Sequence, residues 1–186
     1  IDFDSLARVV VEHDTPAWRD IVDYFGPEVI SPDRTLNRSK LAEIVFSDAK
    51  SRKALEGFTH PRIFKERDIL IKDIKKKDPK AIVIVDIPLL FELSLKKKFD
   101  KVILVYVSRD VQVKRAVKRG VLAKEEVEKR LKAQIPIEDK KLLSDYIINN
   151  EGSLKYTRDQ VRKVTHELKK LLTIQPPSPW PRPGMQ

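Results

Sequence analysis

The chain has 186 residues, of which 41% are hydrophobic and 35% are charged, and it carries a formal net charge of +10. The absence of cysteine excludes a disulfide framework and a thiolate metal site, and no apolar run approaches the ~20 residues of a membrane-spanning helix. The charge favours an anionic partner, but lysine runs such as Lys75 to Lys77 are better explained as solvated surface. We expect a cytoplasmic protein of one domain, with neither a membrane nor a nucleic acid as partner.

The first ten residues, IDFDSLARVV, predict the end of a strand that runs into a helix. In open α/β sheets, ligands bind at the carboxyl ends of the strands. Asp4 is therefore placed to orient or deprotonate a hydroxyl, and Arg8 to hold a phosphate. The spacing alone favours another interpretation, in which Asp4 caps the helix and Arg8 forms a surface ion pair.

The segment from Leu36 to Ile74 has helical periodicity and no strand pattern, so it predicts a helical subdomain inserted between two strands. It contains FTHPRI, in which Pro61 is expected to restrict His60 to an extended backbone. A lone histidine is more often structural than catalytic. The chain has no metal-binding spacing such as HExxH, and we predict no metal ligands in it.

Strands and helices alternate in the rest of the chain. The strands are expected to be buried and parallel, because they are almost continuously apolar and rich in β-branched residues: Ala81 to Asp86, Lys101 to Val107 and Asp145 to Asn149. The helices are predicted at Arg109 to Arg119, Lys124 to Gln134 and Ser153 to Leu172. This alternation predicts an α/β fold with a doubly wound parallel sheet. Residues 173–186 are rich in proline and are expected to form a disordered or polyproline tail.

Two of these later segments carry side chains that are suited to binding phosphates or Mg²⁺. Asp86 ends a predicted strand in VDIPLLFE, where a carboxylate is placed near Mg²⁺ or a phosphate-binding lysine, although a helix cap explains it equally well. Arg115 and Arg119 are four residues apart on one predicted helix, so they share a face and are placed to close on one phosphate as part of a lid. A solvated basic helix paired with the glutamates at 125–128 is the better explanation of the lid segment taken alone.

The order of the segments is more informative than any one of them. The series IDFDSLAR, THP, VDIPLLFE, RDVQVKRAVKRG, KRLKAQIPIEDK and SDYIINNEGS resembles the dephospho-CoA kinase family along residues 1–172. The resemblance implies a P-loop kinase fold with a core sheet, a helical acceptor-binding subdomain at about 36–74 and a lid at about 115–134. It also implies that ATP, with Mg²⁺, donates its γ-phosphate to the 3′-hydroxyl of dephospho-CoA.

The family's site residues carry over to matching positions of this sequence. Asp4 matches the candidate general base, and Arg115 and Arg119 match the lid arginines. The resemblance places five residues in segments that line the acceptor side of the cleft: Arg8, His60, Asp86, Pro88 and Leu89. It places three on the ATP side: Arg130, Gln134 and Asn150.

Two departures from the family pattern stand out. Asn149 occupies a position where the family often has Asp, which is a mild change. More seriously, the family opens with a strand, a G-x-x-x-x-G-K-[ST] loop and a helix, and no glycine of this chain is followed by Lys-Ser or Lys-Thr. We expect the first strand and the loop to lie in a segment before Ile1. The 186 residues alone are then expected to be unstable and unable to turn over ATP.

Three competing functions differ in class. Another P-loop small-molecule kinase, such as a nucleoside monophosphate kinase, shares the sheet and lid, but the helical insert with THP argues against it. A non-catalytic module that binds CoA or a nucleotide is opposed by the presence of Asp4, Arg115 and Arg119. A nucleic-acid binder has the charge in its favour but no recognition helix or aromatic interleaving.

Overall fold

The chain divides into two compact units in a computed structural model that describes residues 1–120 and 122–174. The first unit runs from Ile1 to Ile87, and the second begins at Pro88. In the described part of the chain, no helix is both long and apolar enough to cross a membrane.

The first unit is built from helices with polar caps. Its elements are α1 (Phe3–Val9), α2 (Pro16–Phe25), a 3₁₀ turn (Pro27–Val29), α3 (Arg38–Ser47) and α4 (Ala49–Lys77). The Thr15 hydroxyl accepts a hydrogen bond from the Trp18 N–H at 3.2 Å, and Pro16 starts the first turn of α2, where its missing N–H costs nothing. Helices α3 and α4 occupy most of the segment that was expected to be helical.

A continuous apolar core joins these helices. Ala17, Ile21 and Val29 are completely buried, and the rings of Phe3 and Phe64 meet edge to face with centroids 5.6 Å apart. Helix α4 packs against α1, α2 and α3. The first unit is therefore stabilised mainly by apolar burial, which supplies the dominant favourable term in folding.

The prediction of an extended backbone at His60 is wrong. His60 and Pro61 both lie inside α4, which runs without a break for 29 residues. An internal proline removes one helical hydrogen bond and costs roughly 3 kcal/mol. The helix continues through Pro61 because residues on both sides of it, including Phe58 and Ile63, pack in the core of the first unit. Tertiary packing here overrides the local preference.

The predicted strand at Ala81 to Asp86 is also wrong as a full strand. Among the described residues, this segment makes a single parallel bridge, between Asp86 and Asp2. The pairing stops there because the N-terminal segment, with which Asp86 pairs, enters helix α1 at Phe3. Ile84, on the same segment, is 57% exposed, so the apolar run does not correspond to a buried central strand in this unit.

The second unit contains the parallel sheet. Strand β1 (Ile103–Tyr106) pairs in parallel with β2 (Tyr146–Asn149), and Ile103 lies opposite Tyr146. Three helices connect them: α5 (Arg109–Lys118), α6 (Lys124–Lys132) and α7 (Ile137–Leu143). The long helix α8 (Leu154–Ile174) follows β2. The predicted α/β class and its parallel pairing are confirmed, while the expected tail lies outside the described residues apart from its first two positions, which belong to α8.

Few apolar side chains are buried in the described part of the second unit, and polar contacts tie its elements together. Asp145 accepts hydrogen bonds from the Val102 N–H at 2.9 Å and from Lys101 Nζ at 3.5 Å. Burial raises the pKa of Asp145, but the Val102 hydrogen bond and the lysine charge outweigh it, so the net pKa lies below its ordinary value. Asp145 thereby joins the start of β1 to the start of β2.

Candidate active site

The first two candidate segments meet in the first unit. The Phe3 N–H donates to the Asp86 carbonyl at 3.1 Å, and the Asp86 N–H donates to the Ile1 carbonyl at 2.8 Å. We call Asp2, Asp4 and Asp86 the carboxylate junction, because this pairing brings the two segments side by side. The junction lies where extended chain passes into a helix, which is a usual place for ligand-binding residues.

Asp2, rather than Asp4, caps α1. Its carboxylate accepts hydrogen bonds from the Asp4 N–H at 2.8 Å, the Ser5 N–H at 3.1 Å and the Ser5 hydroxyl at 2.9 Å. The hydrogen bond from the Ser5 backbone is the largest of the effects that lower the pKa of Asp2. The interpretation of Asp4 as the helix cap is therefore wrong. Asp4 lies exposed in the first turn of α1, and its carboxylate makes no hydrogen bond within the described part of the chain.

Arg8 and His60 lie on two helices that pack together in the first unit. Arg8 is exposed in the last turn of α1. His60 is half-buried on α4, two residues before Arg62. Arg62 donates to the Asp20 carboxylate at 2.6 Å and to the Phe58 carbonyl at 2.6 Å, so it fixes α4 to α2 beside His60. The structural role of Arg62 was not anticipated, although it belongs to the same FTHPRI segment.

In the second unit, Arg115 and Asn150 come together. Arg115 Nη2 donates to the Asn150 carbonyl at 2.8 Å, and the Asn150 N–H donates to the Tyr106 carbonyl at 2.8 Å. The Thr157 hydroxyl donates to Asn150 Oδ1 at 3.1 Å. These contacts place the guanidinium at the carboxyl end of the parallel sheet, which is the edge where α/β folds bind ligands.

Glu151 fixes the adjoining turn before α5. It accepts a hydrogen bond from the Ser108 N–H at 2.6 Å, and hydrogen bonding from the Ser108 side chain and backbone lowers the pKa of Glu151. The start of α5 is thus tied to the residue after Asn150. Arg115, from the predicted lid, and Asn150, from the predicted ATP side, are therefore held at this edge by hydrogen bonds that involve the backbone rather than by apolar packing.

The other residues of the predicted lid segment are exposed or half-buried. Arg119 follows the end of α5, one turn after Arg115, and its side chain is open to solvent. Arg130 on α6 pairs with Glu126 at 3.2 Å, as the solvated-helix interpretation expects. Gln134 follows α6 and is half-buried. An exposed ion pair of this kind contributes little to stability.

Pro88 and Leu89 open the second unit and are both exposed. Glu92, the last residue of the VDIPLLFE segment, was not singled out from the sequence. Its carboxylate accepts hydrogen bonds from Lys140 Nζ at 2.7 Å and from the Ile135 N–H at 3.1 Å. Glu92 and Lys140 are 48 positions apart in a lysine-rich chain, so no local pattern marks the pair.

The described residues contain no group of three or more His, Cys, Asp or Glu side chains that could enclose a metal ion.

Comparison with known proteins identifies relatives along most of the chain. A family model described as dephospho-CoA kinase matches residues 1–156. A dephospho-CoA kinase of Syntrophus aciditrophicus is 39% identical over 175 residues, which cover 94% of this chain and 74% of the relative. One from Moorella thermoacetica is 38% identical over 183 residues, covering 97% of this chain and 86% of the relative.

Solved structures agree with these relatives. A dephospho-CoA kinase from Campylobacter jejuni superposes with a TM-score of 0.66 at 30% identity, covering 92% of this chain and 85% of that one. The crystal structure of a Thermus thermophilus protein gives a TM-score of 0.75 at 32% identity, covering 90% and 83% of the two chains.

Proposed function

The chain belongs to the dephospho-CoA kinase family, and from this we propose how its residues share the work of the reaction. Its function is the phosphorylation of dephospho-CoA in coenzyme A biosynthesis, and its fold is of the P-loop kinase type. The family implies ATP as the phosphoryl donor. The proposal concerns the acceptor hydroxyl, the residues that serve each substrate and the metal ion.

Asp4 is the group that activates the acceptor. The γ-phosphate moves from ATP to the 3′-hydroxyl of the ribose, whose proton must leave as the new P–O bond forms. A carboxylate within hydrogen-bond reach of this hydroxyl orients it and accepts the proton. The observation that carries the proposal is the division of labour between Asp2 and Asp4. Asp2 is committed to capping α1, whereas the neighbouring Asp4 carboxylate is exposed and makes no hydrogen bond in the described part of the chain.

The arginines of the second unit serve the transferred phosphoryl group. Arg115 is held at the edge of the sheet by the Asn150 carbonyl, and Arg119 lies four residues further on, directly after the end of α5. Guanidinium groups stabilise the charge that is spread over the phosphoryl oxygens in the transition state. We assign Arg130, Gln134 and Asn150 to ATP.

We assign five residues of the family-matched segments to dephospho-CoA: Arg8, His60, Asp86, Pro88 and Leu89. Arg8 supplies a cation for the pyrophosphate of dephospho-CoA, and Leu89 is 40% exposed and supplies apolar surface. His60 projects from α4, whose position Arg62 fixes.

Bound Mg²⁺ would supply positive charge that offsets the negative charge of the ATP phosphates. Among the described residues, the Asp86 carboxylate has the chemistry to hold it directly or through water. The cytoplasmic location stays a prediction, which fractionation of the source cells tests.

The test is an ATP-consumption assay on two proteins. One is the 186-residue chain, and the other is the same chain joined, ahead of Ile1, to a strand, a G-x-x-x-x-G-K-[ST] loop and a helix. A matched control replaces the loop lysine by alanine. We expect ATP consumption with dephospho-CoA, and not with AMP, in the protein that carries the intact loop.

Two other results would contradict the proposal. Turnover with AMP in place of dephospho-CoA indicates a nucleoside monophosphate kinase. A folded, loop-bearing protein that binds dephospho-CoA in a calorimeter but consumes no ATP indicates a non-catalytic binding module.

A further inference from the structure

One ion pair in the second unit is buried to an unusual degree. The side chain of Lys140 is 9% exposed and that of its partner Glu92 is 17% exposed, whereas most ion pairs of this chain are on the surface. Taking two charges out of water costs much of what their attraction returns. In addition, Glu92 Oε2 is buried without a hydrogen bond in the part of the chain that the structure describes. The pair is therefore a poor device for stability alone.

Its connections show what the pair does to the chain. Glu92 Oε1 accepts from Lys140 Nζ and also from the Ile135 N–H, the backbone group that follows Gln134 directly. A single carboxylate oxygen thus ties together the PLLFE turn, the exit of the lid segment and α7. Burial raises the pKa of Glu92, but the hydrogen bond and charge of Lys140 outweigh this effect and leave the pKa below its ordinary value, so the carboxylate is ionised at neutral pH.

Helix α7 is itself anchored to the sheet by the neighbours of Lys140. The Tyr106 hydroxyl donates to Glu138 at 2.6 Å, and Lys141 donates to the same carboxylate at 3.0 Å. Lys141 Nζ also lies 4.5 Å from the centre of the Tyr106 ring. These contacts connect β1 to α7, α7 to Glu92, and Glu92 to the backbone beside Gln134.

We propose that Glu92 and Lys140 are positioning residues that hold the exit of the lid, so that Arg130 and Gln134 are presented to ATP in a fixed orientation. This inference rests on the proposed function, since it assumes that these two lid residues serve ATP. It assigns the last residue of the VDIPLLFE segment to the nucleotide, while the first residues of the same segment serve the acceptor.

The test compares Glu92→Gln with Asp145→Asn in the loop-bearing protein. Asp145 is a matched control, because its carboxylate also accepts from a lysine and a backbone N–H but lies at the other end of the sheet from the lid exit. Loss of a hydrogen bond to a charged group typically changes an equilibrium constant by about tenfold or more. We expect Glu92→Gln to raise KM for ATP by about that factor while KM for dephospho-CoA stays within about twofold, and Asp145→Asn to change neither KM.

A second pair of variants keeps the test open where Glu92→Gln fails to fold. Lys140→Arg retains a cationic donor and is expected to keep the wild-type KM for ATP, whereas Lys140→Met is expected to raise it. Amide exchange in the loop-bearing protein, measured without substrates, provides a readout that does not depend on turnover. The Ile135 amide should exchange faster in Glu92→Gln, and the amides of β2 should not.

The outcomes separate the two proposals. A KM for ATP that is unchanged in both Glu92→Gln and Lys140→Met, with normal turnover, overturns the positioning role and leaves the kinase function intact. Absence of turnover in every protein, together with faster exchange at Ile135 in Glu92→Gln, retains the structural tie and rejects the kinase function on which the ATP assignment rests.

Discussion

The two units of the chain are stabilised in different ways. The first unit has a continuous core in which Ile21 and Val29 are completely buried. The second unit buries few apolar side chains in its described part and relies on carboxylates that accept from lysines and backbone N–H groups, notably Glu92, Asp145 and Glu151. The stability of the first unit therefore depends mainly on the volume of its buried apolar side chains. The stability of the second unit depends more on the protonation state of its carboxylates.

This difference matches the proposed roles. The first unit carries the carboxylate junction, and a group that removes a proton needs a rigid support. The second unit carries the lid arginines, and lids are drawn from regions with few buried apolar contacts because they must open to release product. Polar ties such as Glu92 with Lys140 let such a region keep a defined geometry without a large core.

The largest effect should come from Asp4→Asn in the loop-bearing protein. General base catalysis typically contributes about 100-fold to 10,000-fold, so kcat should fall by a factor in this range. The melting temperature should not change, because the exposed Asp4 carboxylate makes no hydrogen bond in the described structure. Steady-state kinetics and a thermal melt on the same sample check both statements, and Asp2→Ala, which removes the cap of α1 and should lower the melting temperature, is the opposite control. Near-normal kcat in Asp4→Asn would reject a role for this carboxylate.

The next largest effect concerns the core of the first unit. Ile21→Ala should destabilise this unit by about 2 to 5 kcal/mol, because a fully buried isoleucine leaves a cavity in a well-packed core. Ile148→Ala, at a position that is 6% exposed on β2, should cost the second unit less. Amide exchange resolves the two units within one sample. Equal losses would contradict the contrast between an apolar and a polar mode of stabilisation.

Acid should act first on the second unit. The pKa values of Glu92 and Asp145 are lowered in the folded chain relative to their ordinary values of 4.5 and 3.8. Their contribution is therefore complete above these ordinary values and is lost as the pH falls below them towards the folded values. We expect amides of β1 and β2 to lose protection at a higher pH than the core amides of α2. Loss of protection in α2 first would break the comparison.

The smallest effect is expected at Tyr106, whose hydrogen bond to Glu138 on α7 is exposed to solvent. Its hydrogen bond to Glu138 raises the pKa of Tyr106 to about 12. Because the folded pKa is raised, the contribution of this bond is complete below about pH 10 and is lost as the pH rises towards about 12. Tyr106→Phe should lower the melting temperature at neutral pH by much less than Ile21→Ala. The phenolate absorbance that ultraviolet titration assigns to Tyr106, as wild type minus variant, should develop near pH 12.

The sequence predicted those parts of the fold that depend on local periodicity. Strands β1 and β2 and helices α5, α6 and α8 follow from continuous β-branched runs and from helical spacing. The prediction was wrong at 81–86, where strand formation depends on pairing with another segment of the same chain. It was also wrong at His60, where packing of α4 outweighs the backbone preference imposed by Pro61.

The candidate site divides in the same manner. The order of short segments indicated Asp4, Asp86 and Arg115 through their resemblance to a family. The pairing of Asp2 with Asp86, and of Glu92 with Lys140, joins residues that are far apart in the chain. Such contacts follow from the tertiary fold alone, so no periodicity or short motif could reveal them.

The position of the new phosphate on the product tests the central claim most directly. Dephospho-CoA and ATP are incubated with the loop-bearing protein, and the nucleotide product is examined by phosphorus and proton NMR. The account predicts a phosphate monoester on the 3′-oxygen of the adenosine ribose, seen as coupling between phosphorus and the ribose H3′. A phosphate at the 2′-oxygen, or a folded protein that leaves dephospho-CoA unmodified, would contradict it.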